Sequence, residues 1–97
     1  MSALMISHIT IKDQEKFQRY MQETQKVAGL YGAELVFRGP LNQILTPDEQ
    51  DHNICVVVKF PSIEAIDEWY NSDAYKKLIP LREEGAHMKM VSYAPAP

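Results

Sequence analysis

Cysteine is almost missing: one residue, Cys55, serves the whole 97-residue chain, so an intrachain disulfide is excluded and nothing points to an oxidising compartment. Positive charge is also scarce, with ten Lys and Arg against thirteen Asp and Glu and a net charge of -3. Binders of DNA or RNA concentrate basic residues on one face, so nucleic acid is not an expected partner. No apolar run approaches the roughly 18 residues of a membrane span. The first eleven residues interrupt their apolar positions with Ser2, Ser7, His8 and Thr10, unlike the apolar core of a signal peptide. The expectation is a cytoplasmic protein without a membrane partner. Equally lacking are a Gly-rich phosphate loop, a G-x-S-x-G elbow, C-x-x-C and H-E-x-x-H, which removes the usual nucleotide, hydrolase, redox and metalloprotease readings.

What is present fits one globular domain over residues 1–97, since 45% of residues are hydrophobic and 24% charged, close to the globular average. From Ala3 to Ile11 the chain alternates, with Leu4, Ile6, His8 and Thr10 on one face and Met5, Ser7, Ile9 and Ile11 on the other, which predicts a strand. Asp13 is placed to cap a helix whose stripe is Phe17, Tyr20, Met21, Thr24, Val27, Ala28 and Tyr31, and Gly32 to end it. Ala33 to Arg38 predicts a second strand, interrupted at Gly39 and Pro40 and resuming over Leu41 to Leu45, either as one strand bent or bulged at Gly39 or as two short pieces. The polar stretch Thr46 to Asn53 is the expected hairpin loop.

Ile54 to Phe60 is the strongest strand, apolar on both faces apart from Lys59. Ser62 caps the next helix, which carries Ile63, Ile66, Trp69 and Tyr70; Asn71-Ser72-Asp73 marks a break before Tyr75, Leu78, Ile79 and Arg82. Pro80 predicts a kink or an early end, because it lacks the donor that would bond back to Lys76. Gly85 stops the helix, and His87 to Tyr93 is the last strand. The order βαββαβ predicts an α+β, ferredoxin-like fold with an antiparallel sheet and two helical segments on one face. Because the strands are apolar on both sides, the bare face would meet water, and pairing sheet to sheet with a second copy hides it. A homodimer is therefore expected.

The opening Ile6-Ser7-His8-Ile9-Thr10-Ile11-Lys12-Asp13, the turn Tyr31-Gly32-Ala33-Glu34 leading to Phe37-Arg38-Gly39, the segment Phe60-Pro61-Ser62-Ile63-Glu64-Ala65, the run Trp69-Tyr70-Asn71-Ser72-Asp73-Ala74-Tyr75, and Arg82 together resemble the domain-of-unknown-function 1330 family. The resemblance spans nearly the whole chain and implies a dimeric α+β barrel, in which two ferredoxin-like subunits press their sheets together. It implies no reaction, because that family has none assigned. The wider superfamily includes cofactor-independent monooxygenases, muconolactone-isomerase-like enzymes and ligand-binding barrels. The sequence departs from the family pattern at Pro80 and in lacking a closing glycine after the last strand.

Several side chains could do chemistry. His8, on an otherwise apolar strand, suits a general base; the alternative is a hydrogen-bonded core or interface histidine. Arg38 and Arg82 could bind a carboxylate or enolate in a pocket between sheet and helices, against readings as a paired strand arginine and a helix C-terminal cation. Trp69 and Tyr70 could wall a pocket for a flat ligand, or simply pack the core. His52 and Cys55 form an H-x-x-C pair, too few ligands for zinc, so no metal is expected. No cofactor is called for. The expected function is binding of a small acidic or aromatic molecule, as a cofactor-independent enzyme of proton transfer or oxygenation or as a non-catalytic sensing or dimerisation module.

Overall fold

A computed structural model describes residues 2–47 and 52–96 of the chain. Strand β1 (Ala3–Ile11) leads to helix α1 (Gln14–Gly29), then strands β2 (Glu34–Pro40) and β3 (Ile54–Phe60). Three short helices follow, α2 (Ile63–Tyr70), α3 (Asp73–Lys76) and α4 (Ile79–Gly85), before strand β4 (Ala86–Tyr93). The strands form one antiparallel sheet in the order β2-β3-β1-β4. This is the ferredoxin-like α+β arrangement the alternation predicts.

The sidedness of β1 follows from its pleat. Ala3, Met5, Ser7 and Ile9 are buried, whereas Leu4 is exposed and Ile6, His8 and Thr10 are half-buried on the opposite face. The buried set packs with Phe17 and Tyr20 of α1, Ile66 and Trp69 of α2, and Tyr75 of α3. All six of the largest fully buried side chains, Trp69, Tyr20, Tyr75, Phe17, Phe60 and Ile9, belong to this sheet–helix layer. The other face carries a row of Phe37, Val57, Ile6 and Val91 across the four strands, an apolar stripe with no helix of its own to cover it.

Capping follows the local chemistry. Asp13 Oδ1 accepts from the Lys16 amide at 3.1 Å, Ser62 Oγ from Ala65 at 3.1 Å, and Ser72 Oγ from Tyr75 at 3.1 Å, each satisfying a first-turn donor that no carbonyl can reach. The break at Asn71-Ser72 is therefore a new helix start. Gly32 has φ of 82° and a side chain there would meet Pro61 Cγ at 2.9 Å, so only glycine serves this turn.

Two expectations are corrected. Of the two outcomes expected at Pro80, a kink or an early end, the kink does not occur: α3 ends at Lys76 and Pro80 lies in the first turn of α4, where its missing donor costs nothing, so the second helical segment is three short helices. The second strand is not bulged at Gly39 and does not resume over Leu41 to Leu45. β2 runs through Gly39 and Pro40, its register shifts between Leu35 and Phe37, and 41–45 form no strand. Pro40 is tolerated because β2 is an edge strand, and Gly39 leaves room for the Phe37 ring, whose Cζ would lie 2.9 Å from any Cβ there. Of the expected hairpin loop, positions 48–51 lie outside the described residues.

Candidate functional site

Between α1 and the sheet lies a cavity of about 470 Å³. One cross-strand row, Arg38, Val56, Ser7 and Met90, runs from β2 to β4 and forms part of its floor. Tyr20, Met21, Thr24 and Ala28 of α1 form the roof, and Phe60 and Trp69 also line it. Exposed Gln18, Gln22, Gln25, Leu35 and Arg38 mark the mouth. Four of the chain's five methionines, Met5, Met21, Met88 and Met90, line the walls. Thioethers adapt to irregular shapes, so this wall can accommodate apolar bodies of different outline.

The polar groups at the cavity are few and incompletely satisfied. Trp69 is 2% exposed, yet its indole Nε1 is buried without a hydrogen-bond partner. The Thr24 hydroxyl is buried too; it stands beside Tyr20 as a hydrogen-bonding neighbour that partly offsets the effect of burial on that phenol, in a geometry short of a full hydrogen bond. Ser7 Oγ donates only to the Met5 thioether, at 3.3 Å, a weak acceptor. An unpaired buried donor costs about 1–3 kcal/mol, so these groups favour any guest that supplies an acceptor.

Behind the cavity a hydrogen-bond chain leads out to a cation. Tyr20 and Tyr75 share a bond of 2.8 Å between their hydroxyls, and Arg82 Nη1 donates to Tyr75 at 3.0 Å and to Tyr70 at 3.2 Å. The Arg82 side chain is 13% exposed and its Nη2 meets Glu83 Oε1 at 2.8 Å. Burial raises the Tyr20 phenol well above its ordinary value, with the neighbouring Tyr75 adding to it; burial raises Tyr75 as well. Both phenols are thus neutral donors at physiological pH. Burial pulls Arg82 the other way, but the bonds to Glu83, Tyr70 and Tyr75 outweigh it and keep the guanidinium charged. Arg82 in turn holds the Glu83 carboxyl below its usual range.

The residues singled out from the sequence divide among three places. Arg38 and Trp69 line the cavity, Arg38 with its guanidinium 5.9 Å from the Phe17 ring centroid. Arg82 and Tyr70 stand behind it, joined to Tyr20 through Tyr75. His8 is not brought to the cavity: its neighbours Ser7 and Ile9 line it, and strand alternation turns His8 to the other face, paired across the sheet with Cys55 and Lys89. Sequence reasoning missed Tyr20, Thr24 and Ser7 as site residues. The available signal was their polar atoms on otherwise apolar stripes.

Among the described residues no lining residue is a carboxylate, imidazole or thiol, and the one formal charge there belongs to Arg38. Among the described residues no group of His, Cys, Asp or Glu is arranged to hold a metal ion, and no helix is long and apolar enough to cross a membrane. The family model described as Domain of unknown function (DUF1330) matches residues 2–94. No curated protein matches the sequence. Among solved structures, a protein of unknown function from Rhodopseudomonas palustris is similar with a TM-score of 0.81 at 15% identity, over 99% of this chain and 83% of that one. SnoaB, a cofactor-independent oxygenase from Streptomyces nogalater, gives 0.70 at 7% identity over 99% and 94%. A dimeric ferredoxin-like protein of unknown function from Jannaschia sp. CCS1 gives 0.63 at 10% identity over 98% and 100%.

Proposed function

The chain belongs to the DUF1330 family, and from that premise we propose that it is a homodimer that binds a small, mainly apolar organic molecule in the cavity under α1. The observation that carries this is an apolar cavity lined by Trp69, whose Nε1 is a buried, unpartnered donor. Apolar lining supplies the driving force and a few placed polar groups set orientation, as in most ligand sites. The ligand class that fits is an aromatic compound or small carboxylic acid with an acceptor oxygen, Arg38 meeting an anionic end at the mouth. Among the described residues no carboxylate pairs with Arg38 within 4.0 Å.

A thermal-shift series of substituted phenols and benzoates tests this reading. A ligand at ten times its Kd stabilises by about 1.4 kcal/mol, a rise of roughly 5–10 °C for a domain of this size, and Val58→Phe, which fills the cavity, is expected to abolish the rise. Shifts that persist in the filled variant would place binding elsewhere.

Two forms of the reading remain distinct. One is a cofactor-independent enzyme of proton transfer or oxygenation; the other is a non-catalytic sensing or dimerisation module. A cavity without a carboxylate or imidazole favours, for the enzymatic form, chemistry driven by the ligand's own acidity rather than by a side-chain base. A general-base role for His8 would serve only a ligand on the uncovered sheet face. Dimerisation through that face is supported by the stripe of Phe37, Val57, Ile6 and Val91 and by the exposed Leu4 and Tyr93. Sedimentation at micromolar concentration is expected to give twice the 11.1 kDa chain mass, and Ile6→Lys to give the single chain. A wild-type monomer would remove this part of the reading.

A further inference from the structure

The hydrogen-bond chain behind the cavity has a direction. Tyr75 Oη receives an N–H from Arg82 at 3.0 Å; of the two acceptors its own proton can reach, the Tyr20 hydroxyl at 2.8 Å is stronger than the Met90 thioether at 3.7 Å, which sends the proton to Tyr20. Tyr20 then carries the last proton of the chain, and Tyr20 is the member that lines the cavity. The unpartnered Trp69 Nε1 belongs to the same lining, and its ring lies 4.5 Å from that of Tyr75. Chains of this kind polarise each bond in turn, and they do so most in a dry interior.

From this we infer that the inner end of the cavity is an oxyanion site: Tyr20 and Trp69 donate to a ligand oxygen, Arg82 supplies positive charge through Tyr75, and phenols or enols bind there as phenolates or enolates. The inference rests on the cavity being the ligand site, and it narrows the ligand from any acceptor-bearing molecule to one with an ionisable hydroxyl. On binding, the ligand O–H bond breaks, its proton leaves to solvent, and the electron pair stays on oxygen. No oxidant or reductant is involved. Arg82 acts here as a positioning residue, because Tyr75 and Tyr20 stand between it and the guest.

The charges that face this end are consistent with an anion. Among the described residues the lining contributes no Asp, Glu, His or Cys, Arg38 stands at the mouth, and the Glu83 carboxylate is already bonded to Arg82. Tyr20 and Tyr75 are held neutral by burial and do not compete for the charge. A lone phenol in an apolar pocket would instead favour the protonated guest, because desolvation penalises the charged form. The sign of the guest's titration shift therefore separates the two cases.

The probe is 4-nitrophenol, titrated by its own phenolate absorbance in the presence of the whole chain, with nitrobenzene as the isosteric guest lacking a hydroxyl. The expected result is a bound pKa lowered by at least about one unit, a tenfold preference for phenolate over phenol. Tyr20→Phe and Arg82→Gln are expected to return most of that shift while nitrobenzene affinity stays within about twofold, which a purely structural role could not produce. Tyr20→Phe keeps the buried ring, so it remains informative if Arg82→Gln does not fold. Binding of both probes with an unchanged or raised 4-nitrophenol pKa would overturn the oxyanion site and leave the small-molecule reading standing. Failure of 4-nitrophenol to bind the wild type would overturn the oxyanion site, and failure of both probes would overturn the small-molecule reading as well.

Discussion

Between about pH 9 and about pH 11 the folded chain is expected to lose stability, about 1.4 kcal/mol of it through Tyr20, because the unfolded chain ionises tyrosines whose native values are raised. Tyr20 and Tyr75 are 1% and 0% exposed, and burial raises both above the ordinary 10.0. A native value above the unfolded one means that the contribution is complete below pH 10 and disappears as pH climbs toward the native value. Tyr20 then contributes about 1.4 kcal/mol of loss one unit above the unfolded pKa, and Tyr75 adds to it in the same direction. Urea unfolding midpoints at the two pH values measure the sum. Tyr75→Phe removes one of the two titrating groups and is expected to reduce the loss; an undiminished loss in that variant would mean that other groups control the alkaline limit.

The second large effect is steric. Gly85 closes α4 against the first turn of α1, where a Cβ would lie 2.8 Å from the Phe17 nitrogen and 3.0 Å from its Cα. Those atoms are backbone and cannot rotate away. The Gly85 carbonyl also accepts from the amides of Lys12 at 2.9 Å and Asp13 at 3.1 Å, tying β4's approach to the start of α1. Gly85→Val must push the two helices apart and strain these bonds, and overpacking of this kind costs about 3 kcal/mol. That is a large fraction of the roughly 5–15 kcal/mol available to a domain of this size. Gly29→Ala is the contrasting case, because nothing lies within 4 Å of a Cβ there, and a helical glycine gains up to about 1 kcal/mol on such a change. Equal behaviour of the two variants in chemical denaturation would refute the packing account.

The elements of this fold were legible where a residue's chemistry acts on its own neighbours. Alternation gave β1 and its two faces, and Asp13, Ser62 and Ser72 announced helix starts because each carries an acceptor within reach of the amide three residues on. The kink at Pro80 was a misreading because the effect of a proline depends on whether a turn is the first or an interior one, which the residue itself does not encode. Gly39 was misread for a similar reason, since the feature beside it is the Phe37 ring and not a bend. The candidate site was less legible than the fold. A cavity is a place where side chains fail to meet, and no periodicity in the sequence records that. Tyr20 and Thr24 sat on the apolar stripe of α1 and were counted with the core, although their hydroxyls were the clue. His8 was set correctly on its face, but only the topology decides which face the helices cover.

Strand β4 begins at Ala86, the residue after the last of α4, so helix passes into strand without a linker. A spare residue there would shift the whole of β4 by one against β1 and turn every side chain of the strand over. Met88 and Met90 would leave the cavity wall and Lys89 would enter it. The joint therefore behaves as a fixed reading frame for the last strand of the molecule, and an inserted or deleted residue at this point should be among the least tolerated changes in the chain.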